Sequence, residues 1–175
     1  MCGLGEQSLQ LAFAVLAALT LLAEDDAGYR NLIQLASRAY MEGYYYKPRV
    51  DWETLAEHHE GIIATTGCLG GHVLQSLMNE GFDAALEKAA RLQDIFGRDN
   101  LFVEIQDHGI PEQHRTNPQL LEIAKKIQAP LLATNDSHYV HRGDAVAHDA
   151  LLCVQTGSLM SDPVCTHSNA SWAMA

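Results

Sequence analysis

Residues Pro130–Val140, PLLATNDSHYV, set how the rest of the chain is read. Leu131–Ala133 is a short apolar run with Pro130 before it and Asn135-Asp136 after it, the length and flanks of a buried strand. Asp136 and His138 lie two apart, so in extended backbone their side chains leave on the same face. A carboxylate and an imidazole together at a strand end make half of a metal site. The alternative for this tripeptide is a strand terminus with turn-forming Asn-Asp and a solvated His.

The chain of 175 residues is long enough for one ordinary domain with a sizeable core. A hydrophobic content of 47% with mixed charge indicates a globular protein. The formal net charge is −11, from 22 acidic and 11 basic residues, which argues against autonomous nucleic-acid binding. Nine His with that acidic surplus suit a site for cations better, although scattered surface His would look the same. Cys2, Cys68, Cys153 and Cys165 form no CxxC pair, so neither a disulfide framework nor a zinc ribbon is expected, and the setting reads as reducing and cytoplasmic.

Taken in order, the apolar run Leu11–Ala23 is interrupted at Thr20 and is too short to span a bilayer. Glu6 precedes it and the first basic residue is Arg30, which does not suit a secretory signal. It reads as a helix apolar nearly all round, buried or lacking its partner. In residues 24–60, Leu32, Ile33, Leu35, Ala36, Ala39 and Tyr40 form one helical side, and Gly43 ends that helix. Tyr44–Tyr46 beside Lys47 and Arg49 could stack bases, but core packing with snorkelling stems is the commoner use of such residues. Asp51 caps a short helix through Glu57, with His58-His59 at its exposed end.

From Gly61 the pattern becomes strand, turn, helix. Ile62–Thr66 is a β-branched run ahead of Gly67-Cys68-Leu69-Gly70-Gly71, and helix follows from about His72 to Met78. Gly81 and Asp83 open a longer helix with Leu86, Ala89, Ala90 and Phe96 inward, which Gly97 stops. Leu101–Ile105 is a strand that delivers Gln106, Asp107 and His108. Asn117 reads as a cap and Pro118 as the first residue of a helix to about Ile127. Asp144–Gln155 is amphipathic, with Ala147, Leu151, Leu152 and Val154 apolar, closed by Gly157.

Strands each trailed by helix imply an α/β architecture, part of a barrel or an open sheet with parallel neighbours. In both, active residues gather beyond the C-terminal strand ends. Cys68, the Gln106–His108 group and Asp136/His138 all follow such ends. Cys, Asp and His on one rim suit zinc and tolerate manganese or iron, and a metal there could assist phosphoester hydrolysis. Equally, Cys68 could be a small buried residue and Asp107-His108 a local turn. No GxxxxGK[ST], GxSxG or HExxH pattern occurs.

Four stretches carry a family resemblance: LTLLAEDDAGYRNLIQLASRAYMEGYYYKPRVD, IIATTGCLGG, RLQDIFGRDNLFVEIQDHGIPEQ and LLATNDSHYVHRGDAVAHDALLCVQTG. In that order they resemble the later part of the PHP (polymerase and histidinol phosphatase) domain of bacterial replicative DNA polymerase III alpha subunits, from about Leu19 to Pro163. The resemblance implies a distorted (β/α) barrel, here partial, whose strand ends carry a multinuclear zinc or manganese site. Family members with an intact site act as metal-dependent 3′–5′ exonucleases; others serve as supports or docking surfaces, with polymerase catalysis elsewhere in the polypeptide. By resemblance Cys68 matches the family's cysteine ligand, and Asp136 and His138 match its last two ligands. Asp107 and His108 match none.

The departures matter as much. The family's opening His-x-His does not appear before residue 58, and Ala18 stands where the family has a further His ligand. The organisation expected is an unrelated-looking apolar segment over 1–18, an incomplete PHP domain over 19–163 and a disordered tail over 164–175. The chain reads as a piece of a larger replicative polymerase product, itself without polymerase catalysis. A small metal-dependent phosphoesterase and a noncatalytic docking module for replisome subunits are the other readings. Uncovered apolar edges and helix faces are expected to follow from the missing strands.

Overall fold

A computed structural model of the chain describes residues 19–161. The expectations for an apolar helix over 1–18 and a disordered tail over 164–175 fall outside the described residues. The described chain is mixed α/β and divides into two compact units, residues 19–105 with 116–132, and residues 106–115 with 133–161.

The first unit is built on a four-stranded sheet in the order β1-β2-β3-β4, comprising β1 (Thr20–Ala23), β2 (Ile62–Thr65), β3 (Leu101–Ile105) and β4 (Leu131–Ala133). β2 and β3 are parallel, with Ala64 beside Leu101. Their β-branched and aliphatic residues occupy the pleat as the pattern implies, and Ile62, Ala64, Leu101 and Val103 are fully buried. β1 lies antiparallel on the other side of β2, with Leu21 opposite Ala64. The end of the Leu11–Ala23 run is therefore a strand. Four residues can pair with β2 here because Glu24 N–H also bonds the Gly61 carbonyl (2.8 Å), closing the register.

Helices cover this sheet. α1 (Asp26–Met41) starts at Asp25, whose carboxylate accepts from the Gly28 N–H at 2.8 Å. Gly28 packs so closely that a Cβ there would lie 1.7 Å from the Gly61 carbonyl oxygen. α2 (Trp52–Glu57) starts at Asp51, which accepts from Thr54 N–H at 2.8 Å, as the sequence predicts. α3 (His72–Asn79) and α4 (Phe82–Phe96) follow β2. α4 buries Ala85, Ala89, Leu92 and Phe96 and packs Leu86 against the same core, so the expected stripe of Leu86, Ala89 and Phe96 is joined by Ala85 and Leu92.

Three sequence readings are corrected. α5 spans Pro111–Ile127 with Pro118 inside it. Pro111 already suits the first turn, and burial of Thr116, Leu120 and Ile123 holds the helix through the hydrogen bond that Pro118 cannot donate. β4 is not a buried strand: Leu131 is 50% exposed, because β4 is last in the sheet order and has β3 as its sole neighbour among the described strands. Tyr44, Tyr45 and Tyr46 are exposed, not core. In the second unit, α6 (Ala145–Thr156) follows a 3₁₀ turn at Arg142–Asp144 and ends at Gly157. Asp149 and Cys153 are buried, whereas Val146, Leu151 and Val154 face outward.

His72 sits on α3 against Trp52, ring centroids 5.3 Å apart, and its Nε2 is buried with no hydrogen-bond partner among the described residues. Burial first, and then the positive charge of Lys88, push its imidazole from 6.5 down to about 4. Between those values the unfolded chain takes up a proton that the folded ring refuses. Stability contributed by a neutral His72 is thus complete above pH 6.5 and is lost as pH falls toward 4. We expect the urea midpoint to drop more between pH 7 and pH 4.5 in the natural chain than in His72→Phe. Parallel pH profiles for the two would contradict this.

Candidate functional site

Two groups of ligand-type residues follow strand ends. The first begins after β2. Thr65 and Thr66 are buried, and they tie β2 to Glu104 of β3: the Thr65 hydroxyl donates to the Glu104 carboxylate, and Thr66 Oγ1 accepts from Glu104 N–H at 3.0 Å. The chain then turns through Gly67–Gly71, closed by Gly71 N–H to the Cys68 carbonyl at 2.7 Å. A Cβ on Gly71 would lie 2.4 Å from the Thr66 carbonyl oxygen, so the turn needs glycine there. Cys68 is a free thiol at intermediate burial, not the small buried core residue of the alternative reading.

The second group lies in the unit formed by residues 106–115 and 133–161. Asp136 and His138 do come together, in the irregular segment past the end of β4 and not within the strand itself. His138 Nδ1 lies 2.7 Å from the Asp136 carbonyl oxygen and 3.9 Å from its carboxylate. An Nδ1–H donated to that carbonyl places the ring lone pair on Nε2, the arrangement metal-binding histidines use. The rings of His138 and His148 meet edge-on at 5.3 Å, and Tyr139 lies 5.4 Å from His148.

Beneath this pair is a buried clamp that the spacing of residues did not reveal. His108 is buried, and its backbone N–H donates to the Gln113 carboxamide oxygen at 2.7 Å. The Gln113 amide is 2.9 Å from His108 Nδ1, and His108 Nε2 is 2.9 Å from Asn135 Oδ1. With Gln113 donating to Nδ1, Nε2 is left to donate to Asn135 Oδ1. Asn135 Oδ1 also accepts the Asp136 N–H at 2.8 Å, so the ring and the following backbone share one acceptor. Asp107 is a local turn residue, accepting from Gly109 N–H at 3.1 Å, as its alternative reading held. Gln106 donates to Thr134 Oγ1 at 3.2 Å.

Of the three residues expected as ligands, the second unit holds Asp136 and His138, and Cys68 belongs to the first. Among the described residues no group of three or more His, Cys, Asp or Glu is arranged to hold a metal ion. A closed zinc site takes four ligands and a catalytic one three. Among the described residues the donor set within either unit therefore falls short of such a site.

An α/β sheet with ligand-type residues beyond its strand ends defines a class of domain whose chemistry, where present, gathers at that rim. The chain belongs to the PHP domain family, which it matches over residues 6–108. It is 53% identical over 144 residues to DNA polymerase III subunit alpha of Deinococcus radiodurans, an alignment covering 82% of this chain and 11% of that subunit. It is 49% identical over 145 residues to the same subunit of Thermus aquaticus, covering 83% and 12% respectively. The Mycobacterium tuberculosis subunit is 51% identical over 147 residues, with 83% and 12% covered. The chain thus aligns with a PHP-domain portion of these polymerase subunits and spans about an eighth or less of their length.

Replacing His108 by Ala removes the ring to which Gln113 and Asn135 bond. We expect a loss of about 1–3 kcal/mol in urea unfolding, since buried polar groups lose partners. Faster hydrogen exchange at the Asp136 amide should accompany it. His114→Ala, at an exposed side chain, should change neither. Equal effects of the two substitutions would rule out the clamp.

Proposed function

We propose that this chain serves DNA replication as a PHP-domain portion of a polymerase III alpha polypeptide, in the cytoplasm, with a noncatalytic supporting role. The observation that carries the reading is the alignment of 82% of the chain with the alpha subunit of Deinococcus radiodurans. Its partners are then the rest of the polymerase chain and other replisome subunits, and the domain is a partial distorted barrel of PHP type. No helix among the described residues is long and apolar enough to cross a membrane, which agrees with that setting.

Cys68, Asp136 and His138 are on this reading the retained metal-binding residues. Zinc or manganese would supply Lewis acidity in an intact site of this kind. The scarcity of grouped donors supports a remnant: a multinuclear hydrolase needs further imidazoles and carboxylates. A working phosphoesterase or 3′–5′ exonuclease is accordingly the weaker reading.

Purified protein should bind zinc substoichiometrically and leave 3′-labelled DNA intact. Elemental analysis and a labelled-primer assay with zinc or manganese check this. Metal-dependent digestion that Asp136→Ala abolishes would replace the supporting role with an enzymatic one. His138→Ala should reduce the residual metal content; unchanged content would remove that residue from the ligand set.

A further inference from the structure

α1 carries two apolar stripes, and one of them is largely exposed among the described residues. At about 100° per residue, Gly28, Leu32, Leu35 and Ala39 fall within a narrow sector. That sector is the inward one: Gly28 and Leu35 are buried, and Leu32 packs against the core. Tyr29, Ile33, Ala36 and Tyr40 recur at i, i+4, i+7 and i+11, roughly a quarter-turn away. Tyr29 is 62% exposed, Ile33 47% and Tyr40 65%.

The outer stripe runs on into the loop after the helix. Tyr40 and Tyr44 stack at 6.3 Å, and Tyr45 and Tyr46 meet edge-on at 4.5 Å. The loop is held in shape from beneath. Gly43 N–H donates to the Arg38 carbonyl, Tyr45 N–H to the Lys47 carbonyl, and the buried Arg49 guanidinium lies 4.7 Å under the Tyr45 ring. Tyr46 is in the left-handed region (φ 61°), an uncommon conformation for a bulky residue, and the residue is 82% exposed. A strained backbone presenting an exposed aromatic ring is unusual unless the ring is used.

Resting on the proposed function above, we infer that Tyr29, Ile33, Tyr40, Tyr44 and Tyr46 form a docking surface for another part of the polymerase III alpha polypeptide. Rigid tyrosines give large contact area at low entropic cost and recur among interface hot spots. The length of the relatives supplies the occupant, because the aligned segment is 11–12% of each subunit and most of the polypeptide lies outside it. Charge disfavours single-stranded DNA: Lys47 is offset by Glu42, the neighbouring Arg49 is buried beneath Tyr45, and the whole chain is at −11.

Hydroxyl-radical labelling tests this. The aligned segment of the Deinococcus radiodurans alpha subunit is replaced by residues 19–161 of this chain, and labelling of Tyr40, Met41, Tyr44 and Tyr46 is compared with the isolated chain. We expect labelling to fall on the order of tenfold in the chimera, as for an interface core, and to be independent of protein concentration in the isolated chain. In the chimera, Tyr44→Ser with Tyr46→Ser should lower the unfolding temperature, while the isolated chain carrying the same changes keeps its own. Equal labelling in an active chimera would overturn the surface and leave the proposed function standing. Concentration-dependent protection of the isolated chain would assign the surface to a second copy. Protection only on adding single-stranded DNA would assign it to nucleic acid. A chimera that folds but cannot extend a primer would count against the proposed function and, with it, against this surface.

Discussion

Everything in the first unit depends on β2 being paired on both sides. Its backbone bonds run to β1 in one direction and β3 in the other, and elements packed on the sheet bury Ile62, Ala64 and Thr65 while Ile63 stays partly exposed. Ile62 and Ala64 are fully buried between elements that arrive from far apart in sequence: Leu35 from α1, Leu55 from α2, Val73 from α3 and Leu92 from α4. Full burial of such side chains is worth about 1.5–3 kcal/mol each, which outweighs the modest propensity preferences along the chain. The same pairing brings Thr65 and Thr66 against Glu104, so the Thr65 hydroxyl donates to a buried carboxylate and the Thr66 hydroxyl accepts the Glu104 N–H where the turn to Cys68 begins.

In the second unit the corresponding constraint is the His108 ring. A buried imidazole must have its nitrogens satisfied, and Gln113 and Asn135 do so from opposite sides. Because Asn135 also accepts the Asp136 N–H, the clamp and the Asp136–His138 segment are one hydrogen-bonded structure. The backbone at Asp136 is thus held by protein groups alone.

Much of the fold is legible in the chain because the local signals are strong. Asp25 and Asp51 are caps with helices behind them, Gly97 and Gly157 are stops, and Ile62–Thr65 and Leu101–Ile105 have β-branched or aliphatic runs of strand length. Where sequence reasoning failed, two local signals competed. Pro111 and Pro118 both suit a first helical turn, and burial of Thr116 and Leu120 chose the earlier one. α1 has two apolar faces, and periodicity merges them into one wide stripe; only the sheet's position separates Leu35 from Ile33. The closeness of Asp136 and His138 was legible from their spacing, whereas the bonds of Gln113 and Asn135 to His108 were not, since short spacings do not say which distant side chain a polar group will meet.

The sequence by itself determined the α/β class, the caps and stops of most helices, and the placing of Cys68, Asp136 and His138 after strand ends, because these follow from local backbone preferences and short spacings. Tertiary structure alone decided that Thr20–Ala23 is a strand, that β4 is an exposed edge, that His108 is a buried clamp and that the tyrosines of 40–46 face outward. Each of those depends on which distant surface arrives to cover a residue, and burial by a distant partner leaves no mark on the residues next to it in the chain.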